Sequence, residues 1–311
     1  MAKILITESV HPIGPELLTA AGHTVVYADR DMDVIRREIV DADAVLVRII
    51  ELPGSLLATA KNLKIVSKHG VGYDNIDLDY CKSRGVAVTI TPNANSLSVA
   101  EHAFTLMLTL AKNIIPVSNE YRTVGFAAKN HAPGIEMTGK TLGLVGMGRI
   151  GKHILHMCRD GLDMHVIVYD PYISEVPEGV EKVDDLSELL RRADVVTLHC
   201  LLTDETRKLI DRERLALMKP TALLINCARG PIVDEAALIE ALENGRLAGA
   251  GLDVTDPEPV APDSPLFKLP NVIVTPHYAP TTVESATRVS KIAAENINAV
   301  LAGQEPVGRI V

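Results

Sequence analysis

Aromatic side chains are scarce in this chain of 311 residues, which has no tryptophan, three phenylalanines and seven tyrosines. So few rings cannot build stacking platforms for nucleic-acid bases. Positive charge is also in the minority, with 31 Lys plus Arg against 40 Asp plus Glu and a net charge of -9. That balance repels phosphate backbones and anionic lipid, so neither nucleic acid nor membrane is an expected partner. The cysteines Cys81, Cys158, Cys200 and Cys227 form no CxxC pair and no zinc spacing. No apolar run reaches the roughly 18 residues of a membrane span. The nearest, around Phe104 to Ala111, is broken by threonine and flanked by Glu101, His102 and Lys112. The opening MAKILITE lacks the basic-then-apolar layout of a secretion signal. A reduced, cytoplasmic protein is the expectation.

What is present is ordinary globular material, 47% hydrophobic and 23% charged. At about 150 residues per domain, the length predicts two domains. Short aliphatic runs alternate with helical stretches through the first hundred residues: Ile4–Ile6, Val25–Tyr27, Ala44–Val47, Lys64–Ser67 and Val86–Val88. Continuous Val/Ile/Leu strands separated by helices indicate a parallel sheet covered on both faces. A long helix is predicted from about Ser96 to Lys112, with Ser98 and Glu101 placed as a capping box. Residues 113–138 are less hydrophobic, carry two prolines and read as an extended arm outside any core. The alternation restarts at Lys140, with strands at Thr141–Val145, His165–Tyr169, Val195–His199, Thr221–Cys227, Gly249–Val254 and Val272–Thr275. A helix at Asp234–Asn244 closes on Gly245, and a final one runs from about Thr282 to Ala302. The fold class is therefore α/β, with two doubly wound parallel-sheet domains.

Gly146-Met147-Gly148-Arg149-Ile150-Gly151 follows a strand and opens a helix. The first glycine allows a tight turn, the second lets backbone approach a pyrophosphate, and the third lets helix pack on strand. Asp170 ends the next strand, 22 residues after Gly148, where its carboxylate would accept from ribose hydroxyls. The same charge would repel a 2′-phosphate, and Pro171-Tyr172-Ile173 supplies no arginine to bind one, so NAD is the cofactor read here. Gly70-Val71-Gly72 also follows a strand but lacks the third glycine and the acid. Its turn suits a small anion.

Three polar residues fall just after predicted strands, at the edge where open parallel sheets bind ligands: Arg229, Glu258 and His277. Their types match hydride exchange with a 2-keto acid. Arginine can fork onto the substrate carboxylate and polarise the carbonyl. Histidine can donate or remove the hydroxyl proton. A glutamate beside the imidazole would orient it and favour its charged form. Taken singly, each could equally be a surface or salt-bridge residue. His153 and His156 are three apart on one helix, but no third ligand is placed, so no metal is expected. Arg48 and Lys68 also lie at strand ends. They read either as ordinary surface charge or as cations for a second anionic group on the substrate.

These strings, with Val233-Asp234-Glu235, Gly251-Leu252-Asp253-Val254 and Thr275-Pro276-His277, resemble the D-isomer-specific 2-hydroxyacid dehydrogenases, and within them the catalytic core of the D-3-phosphoglycerate dehydrogenases. The resemblance implies a flavodoxin-like substrate domain from residues 1–98 and 281–311, and a Rossmann NAD domain from residues 99–280. It implies a homodimer formed through the arm near 113–138. Arg229, Glu258 and His277 match the catalytic group. Gly146, Gly148, Arg149, Ile150 and Gly151 match the pyrophosphate side. Asp170 matches the ribose acid, and Cys200, Cys227, Ala228, Arg229, Asp253 and His277 match further nucleotide contacts. Val71 and Gly72 match the loop holding the substrate carboxylate, and Arg48 and Lys68 match phosphate-binding cations. Two departures stand out, Leu201 for a usual proline and Phe126 for a frequent tryptophan. The implied activity is NAD-dependent interconversion of a D-2-hydroxy acid, such as 3-phosphoglycerate, and its 2-keto acid. A glyoxylate/hydroxypyruvate-type reductase and an NAD(H)-sensing corepressor-like protein are the alternatives.

Overall fold

The computed structural model describes residues Met1–Val311. The chain divides into two compact units, Met1–Asn95 with Pro280–Val311, and Ser96–Ala279.

In the first unit, strands β1 (Lys3–Ile6), β2 (Thr24–Tyr27), β3 (Ala44–Val47), β4 (Ile65–Lys68) and β5 (Ala87–Thr89) form one parallel sheet in the order β2-β1-β3-β4-β5. Helices α1 (Ile13–Ala20), α2 (Met32–Glu38), α3 (Gly54–Leu57) and α4 (Leu78–Arg84) connect them. Alternate strand residues enter separate cores. Leu5, Val45, Val66 and Val88 join Ile35, Leu57 and Cys81 on one face. Ile4, Leu46, Ile65 and Ala87 join Leu18 on the other. That is why every strand is aliphatic on both sides.

The second unit opens with α5 (Ser96–Ala111), α6 (Ile114–Val124) and a 3₁₀ turn at Gly125–Asn130. Helix α5 starts at Ser96, so Ser98 sits inside its first turn and not at a cap. The 113–138 segment is largely helical, which corrects the extended-arm reading, although α6 buries none of its residues. Its low hydrophobicity reflects an exposed helix. Strands β6 (Thr141–Val145), β7 (His165–Tyr169), β8 (Val180–Lys182), β9 (Val195–Leu198), β10 (Leu223–Asn226), β11 (Gly249–Leu252) and β12 (Val272–Val274) make a parallel sheet ordered β12-β11-β10-β9-β6-β7-β8. Helices α7 (Arg149–Leu162), α8 (Leu186–Arg192), α9 (Arg212–Leu215) and α10 (Glu235–Glu243) cover it together with α5. The chain then returns to the first unit as α11 (Val283–Leu301), whose Ala293, Ala294 and Ile297 pack under Ile4 and Leu46.

The two strand orders are the flavodoxin-like and Rossmann arrangements of the doubly wound class. In the second, strand order reverses between β6 and β9, which makes the C-terminal ends of these strands the place where a ligand binds. No helix is long and apolar enough to cross a membrane.

Candidate active site

The turn after β6 is shaped by three glycines for three different reasons. Gly146 has φ +90°, and a Cβ there would lie 2.9 Å from the Cys200 amide nitrogen. A Cβ on Gly151 would lie 2.3 Å from the Gly146 carbonyl oxygen, so helix α7 rests directly on the turn. A Cβ on Gly148 would meet nothing within 4 Å. Gly148 caps α7 without a side chain, so no capping side chain satisfies the first-turn N–H groups led by Arg149 and Ile150. Open space, orphan donors and the positive end of a helix dipole at a switch point fit a pyrophosphate.

Asp170 follows β7 and ties this turn down. Its Oδ2 accepts from Met147 N–H at 2.9 Å and its Oδ1 from Tyr172 N–H at 3.0 Å. Each carboxylate oxygen keeps lone-pair capacity for a ribose hydroxyl. No basic side chain joins it from the following residues, and the Tyr172 hydroxyl donates to a further acid, Glu205, at 3.1 Å. The nearby thiols are inert walls. Burial pushes Cys200 up to about 11, with Asp170 adding to it, and burial with Asp253 raises Cys227 well above the ordinary thiol range.

Arg229, Glu258 and His277 come from the loops after β10, β11 and β12, which are adjacent in the sheet. Buried Asn226 shapes the first loop: its Nδ2 donates to the Arg229 carbonyl at 2.9 Å and its Oδ1 accepts from Ala228 N–H at 3.0 Å. Arg229 Nη1 donates to the Ala228 carbonyl at 2.7 Å. A Cβ on Gly230 would fall 1.9 Å from the Thr255 carbonyl oxygen, so this loop lies against the backbone leading to Glu258. Glu235 Oε2 accepts from Asp256 N–H at 2.9 Å and steadies the same turn. Glu258 Oε1 lies 2.6 Å from His277 Nδ1. The structure thus joins two of the three predicted residues directly and packs the third one's loop against them.

Asp253 is 1% exposed. Its Oδ1 accepts from the Thr275 hydroxyl at 2.5 Å and Tyr278 N–H at 2.7 Å, and its Oδ2 from Ala279 N–H at 2.9 Å. The family resemblance matches it to a nucleotide contact, and its bonds also hold the segment carrying His277. Of the two helix histidines considered for metal, His156 pairs with Asp160 at 2.5 Å.

In the first unit, Glu8 is the residue the sequence did not disclose. Its buried carboxylate accepts from the N–H groups of Arg48 at 2.7 Å and Ile49 at 3.0 Å, shaping the loop after β3. Arg48 is half-buried, and its Nη1 donates to the Ser9 carbonyl at 2.9 Å. Lys68 is 7% exposed, and its ammonium donates to the Arg48 carbonyl and, at 2.6 Å, to Asn75 Oδ1. Those bonds make Lys68 a brace of the loop that carries Arg48. Val71 and Gly72 are half-buried in the bend beyond it.

Residues 104–279 match the family model of the D-isomer specific 2-hydroxyacid dehydrogenase, NAD binding domain. D-3-phosphoglycerate dehydrogenase of Methanocaldococcus jannaschii is 42% identical over 308 residues, 98% of this chain and 58% of that protein. The chain spans about half the length of the D-3-phosphoglycerate dehydrogenases it matches. Glyoxylate reductase of Thermofilum pendens is 38% identical over 319 residues, covering 98% of this chain and 93% of that one. Among solved structures, NADPH-dependent glyoxylate/hydroxypyruvate reductase of Sinorhizobium meliloti, in complex with NADP and malonate, superposes with TM-score 0.90 at 29% identity, covering 100% of this chain and 97% of the other. With residues 104–279 matching that NAD-binding domain and a relative 38% identical covered over 93% of its length, the chain belongs to the D-isomer-specific 2-hydroxyacid dehydrogenases.

Proposed function

We propose that this protein interconverts a D-2-hydroxy acid and its 2-keto acid with NAD, and that it prefers a dianionic acid such as 3-phosphoglycerate. The observation that carries the activity is the 2.6 Å contact between Glu258 and His277 at the sheet edge that also bears the glycine cradle. Bound to that cradle, NADH would supply the hydride. Arg229 binds the substrate carboxylate with a forked pair of N–H groups and polarises the carbonyl. With Nδ1 engaged by Glu258, His277 uses Nε2 to protonate the forming hydroxyl, and in oxidation it takes that proton back. Glu258 holds the imidazole in orientation and balances its charge. Asp170, with no arginine beside it, supports NAD over NADP.

Arg48 and Lys68 support the dianion preference by offering cations to a second anionic group, and Lys68 also braces the loop that carries Arg48. Val71 and Gly72 carry the substrate carboxylate by their N–H groups. A second reading is a glyoxylate/hydroxypyruvate-type reductase. The glyoxylate reductase matched over nearly its full length supports the same alternative. The first unit then serves as substrate domain and the second as NAD domain. Helix α6 and the following turn expose Ile114, Ile115, Tyr121 and Phe126, and α6 buries none of its residues, which supports a homodimer surface. Four free cysteines fit a reducing compartment such as the cytoplasm.

The test is NADH oxidation with a panel of 3-phosphohydroxypyruvate, hydroxypyruvate, glyoxylate and pyruvate. A kcat/KM for the phosphorylated acid at least tenfold above the rest supports the first reading, and equal values support the second. No turnover of any 2-keto acid while NADH still binds points instead to an NAD(H)-sensing protein.

A further inference from the structure

His277 is held in the left-handed region, φ +54°, where a residue of its type rests only if its surroundings impose it. The imposing group is Asp253, whose carbonyl oxygen accepts from His277 N–H at 2.8 Å while its carboxylate accepts from the next two backbone amides. This clamp reaches back to α5. There His102 Nε2 lies 3.0 Å from Thr275 Oγ1 and 3.5 Å from Asp253 Oδ1, and its ring meets that of Tyr278 edge-on, with centroids 6.1 Å apart.

The proton inventory of this cluster is determinate. The Thr275 hydroxyl has one hydrogen and donates it to Asp253 Oδ1 at 2.5 Å. Thr275 Oγ1 can then only accept from His102, so His102 carries a hydrogen on Nε2. We infer that His102 is a positioning residue for His277, an Nε2–H donor whose bond through Thr275 locks the Asp253 clamp. It never touches the reacting atoms. Its contribution is to keep the His277 imidazole against Glu258, and sub-ångström losses of such alignment reduce turnover steeply. This inference rests on His277 being the acid/base.

The test compares His102→Phe, which keeps a ring but no donor, with His102→Gln, which restores an N–H at similar reach. His102→Phe should lower kcat for the preferred 2-keto acid by about tenfold or more, with the NADH dissociation constant, read by fluorescence, within about twofold of wild type. His102→Gln should recover most of the loss. Wild-type kcat in His102→Phe, or a glutamine variant as slow as the phenylalanine one, overturns the inference. Should His102→Phe fail to fold, Thr275→Val against Thr275→Ser makes the same comparison, since only serine keeps the relay hydroxyl. Nitrogen-15 histidine spectra of the wild-type protein give an independent reading. They should show His102 protonated at Nε2, and a hydrogen on Nδ1 alone overturns the proposal whatever the kinetics. If the wild type reduces no 2-keto acid, the proposed activity fails, and the tautomer measurement still decides whether the clamp is built as described.

Discussion

His277 Nδ1 lies 2.6 Å from Glu258 Oε1, on a turn whose backbone the chain holds left-handed at φ +54°. One ring nitrogen is therefore occupied, which leaves Nε2 for proton exchange in the proposed reaction. His277→Asn, which tolerates left-handed backbone better than alanine, should lower kcat by roughly 10²–10⁴ while leaving NADH binding intact, the usual contribution of a positioned acid/base. Glu258→Gln keeps a polar partner but removes its charge, and kcat should fall by about tenfold with little change in KM. Steady-state kinetics on both variants, beside an NADH titration, check the pair. Near-normal turnover in His277→Asn would remove this histidine from the mechanism.

In the proposed reading Asp170 has two roles that a substitution must separate, since its Oδ2 also accepts the Met147 N–H at 2.9 Å. Alanine would loosen the glycine turn as well as remove the charge. Asp170→Asn keeps an acceptor for Met147 N–H and loses the anion together with the acceptor for Tyr172 N–H. The ratio of kcat/KM for NADH over NADPH should drop at least about tenfold, the scale of one close charge contact near a surface. If the unchanged protein already uses NADPH as well as NADH, Asp170 is not what selects the cofactor.

Most of the fold was legible because its signals are local. Ile4–Ile6 or Val195–Leu198 announce buried parallel strands by composition alone, and three glycines in six residues announce the cradle. Helix α6 was missed because it buries no residue and so shows no apolar core stripe. Strand β8 was missed because three partly exposed edge residues, Val180–Lys182, carry little pattern. The braces of the site were illegible for another reason. Asp253 to Thr275, His102 to Thr275 and Glu8 to Arg48 join residues 22, 173 and 40 apart in sequence, and no spacing rule encodes such pairs. Lys68 is a further case: strand-end placement left surface charge and ligand cation both open, and its bonds to Asn75 and the Arg48 carbonyl join residues 7 and 20 positions away.

Those bonds sharpen a test of the substrate. Arg48→Ala should raise KM for 3-phosphohydroxypyruvate about tenfold or more, a charged hydrogen-bond contribution, and leave KM for glyoxylate within about twofold. Added salt should weaken the preference of the unchanged protein for the dianion, because a partly exposed cation is screened. Kinetics at two ionic strengths measure both effects. A KM that rises equally for mono- and dianionic acids would place Arg48 at the shared carboxylate or in the loop structure.

Acid stability follows from two imidazoles that keep a nitrogen shut from water without a hydrogen-bond partner, His69 Nε2 and His199 Nδ1. Burial holds both down to about 3 from an ordinary 6.5, and the charges of Arg48 and Lys68 add to the effect at His69. Protonation is thus disfavoured in the folded protein and unhindered in the unfolded chain. Below pH 6.5 the unfolded state binds more protons, so the stability from keeping these rings neutral is complete above 6.5 and is lost as pH falls toward 3. Carboxylates held low by partners, such as Asp194, which accepts from Thr141 N–H and pairs with Lys219, act in the same direction but only as pH drops below their ordinary 3.8. Glu235, raised by burial from 4.5, works the opposite way. The interval between about 6.5 and 5 therefore belongs mainly to the histidines. Urea unfolding across that interval should give a free energy that rises with pH, and His199→Gln should make the slope shallower by up to about one proton. A slope unchanged in both His199→Gln and His69→Gln would mean that neither ring is held neutral by the fold.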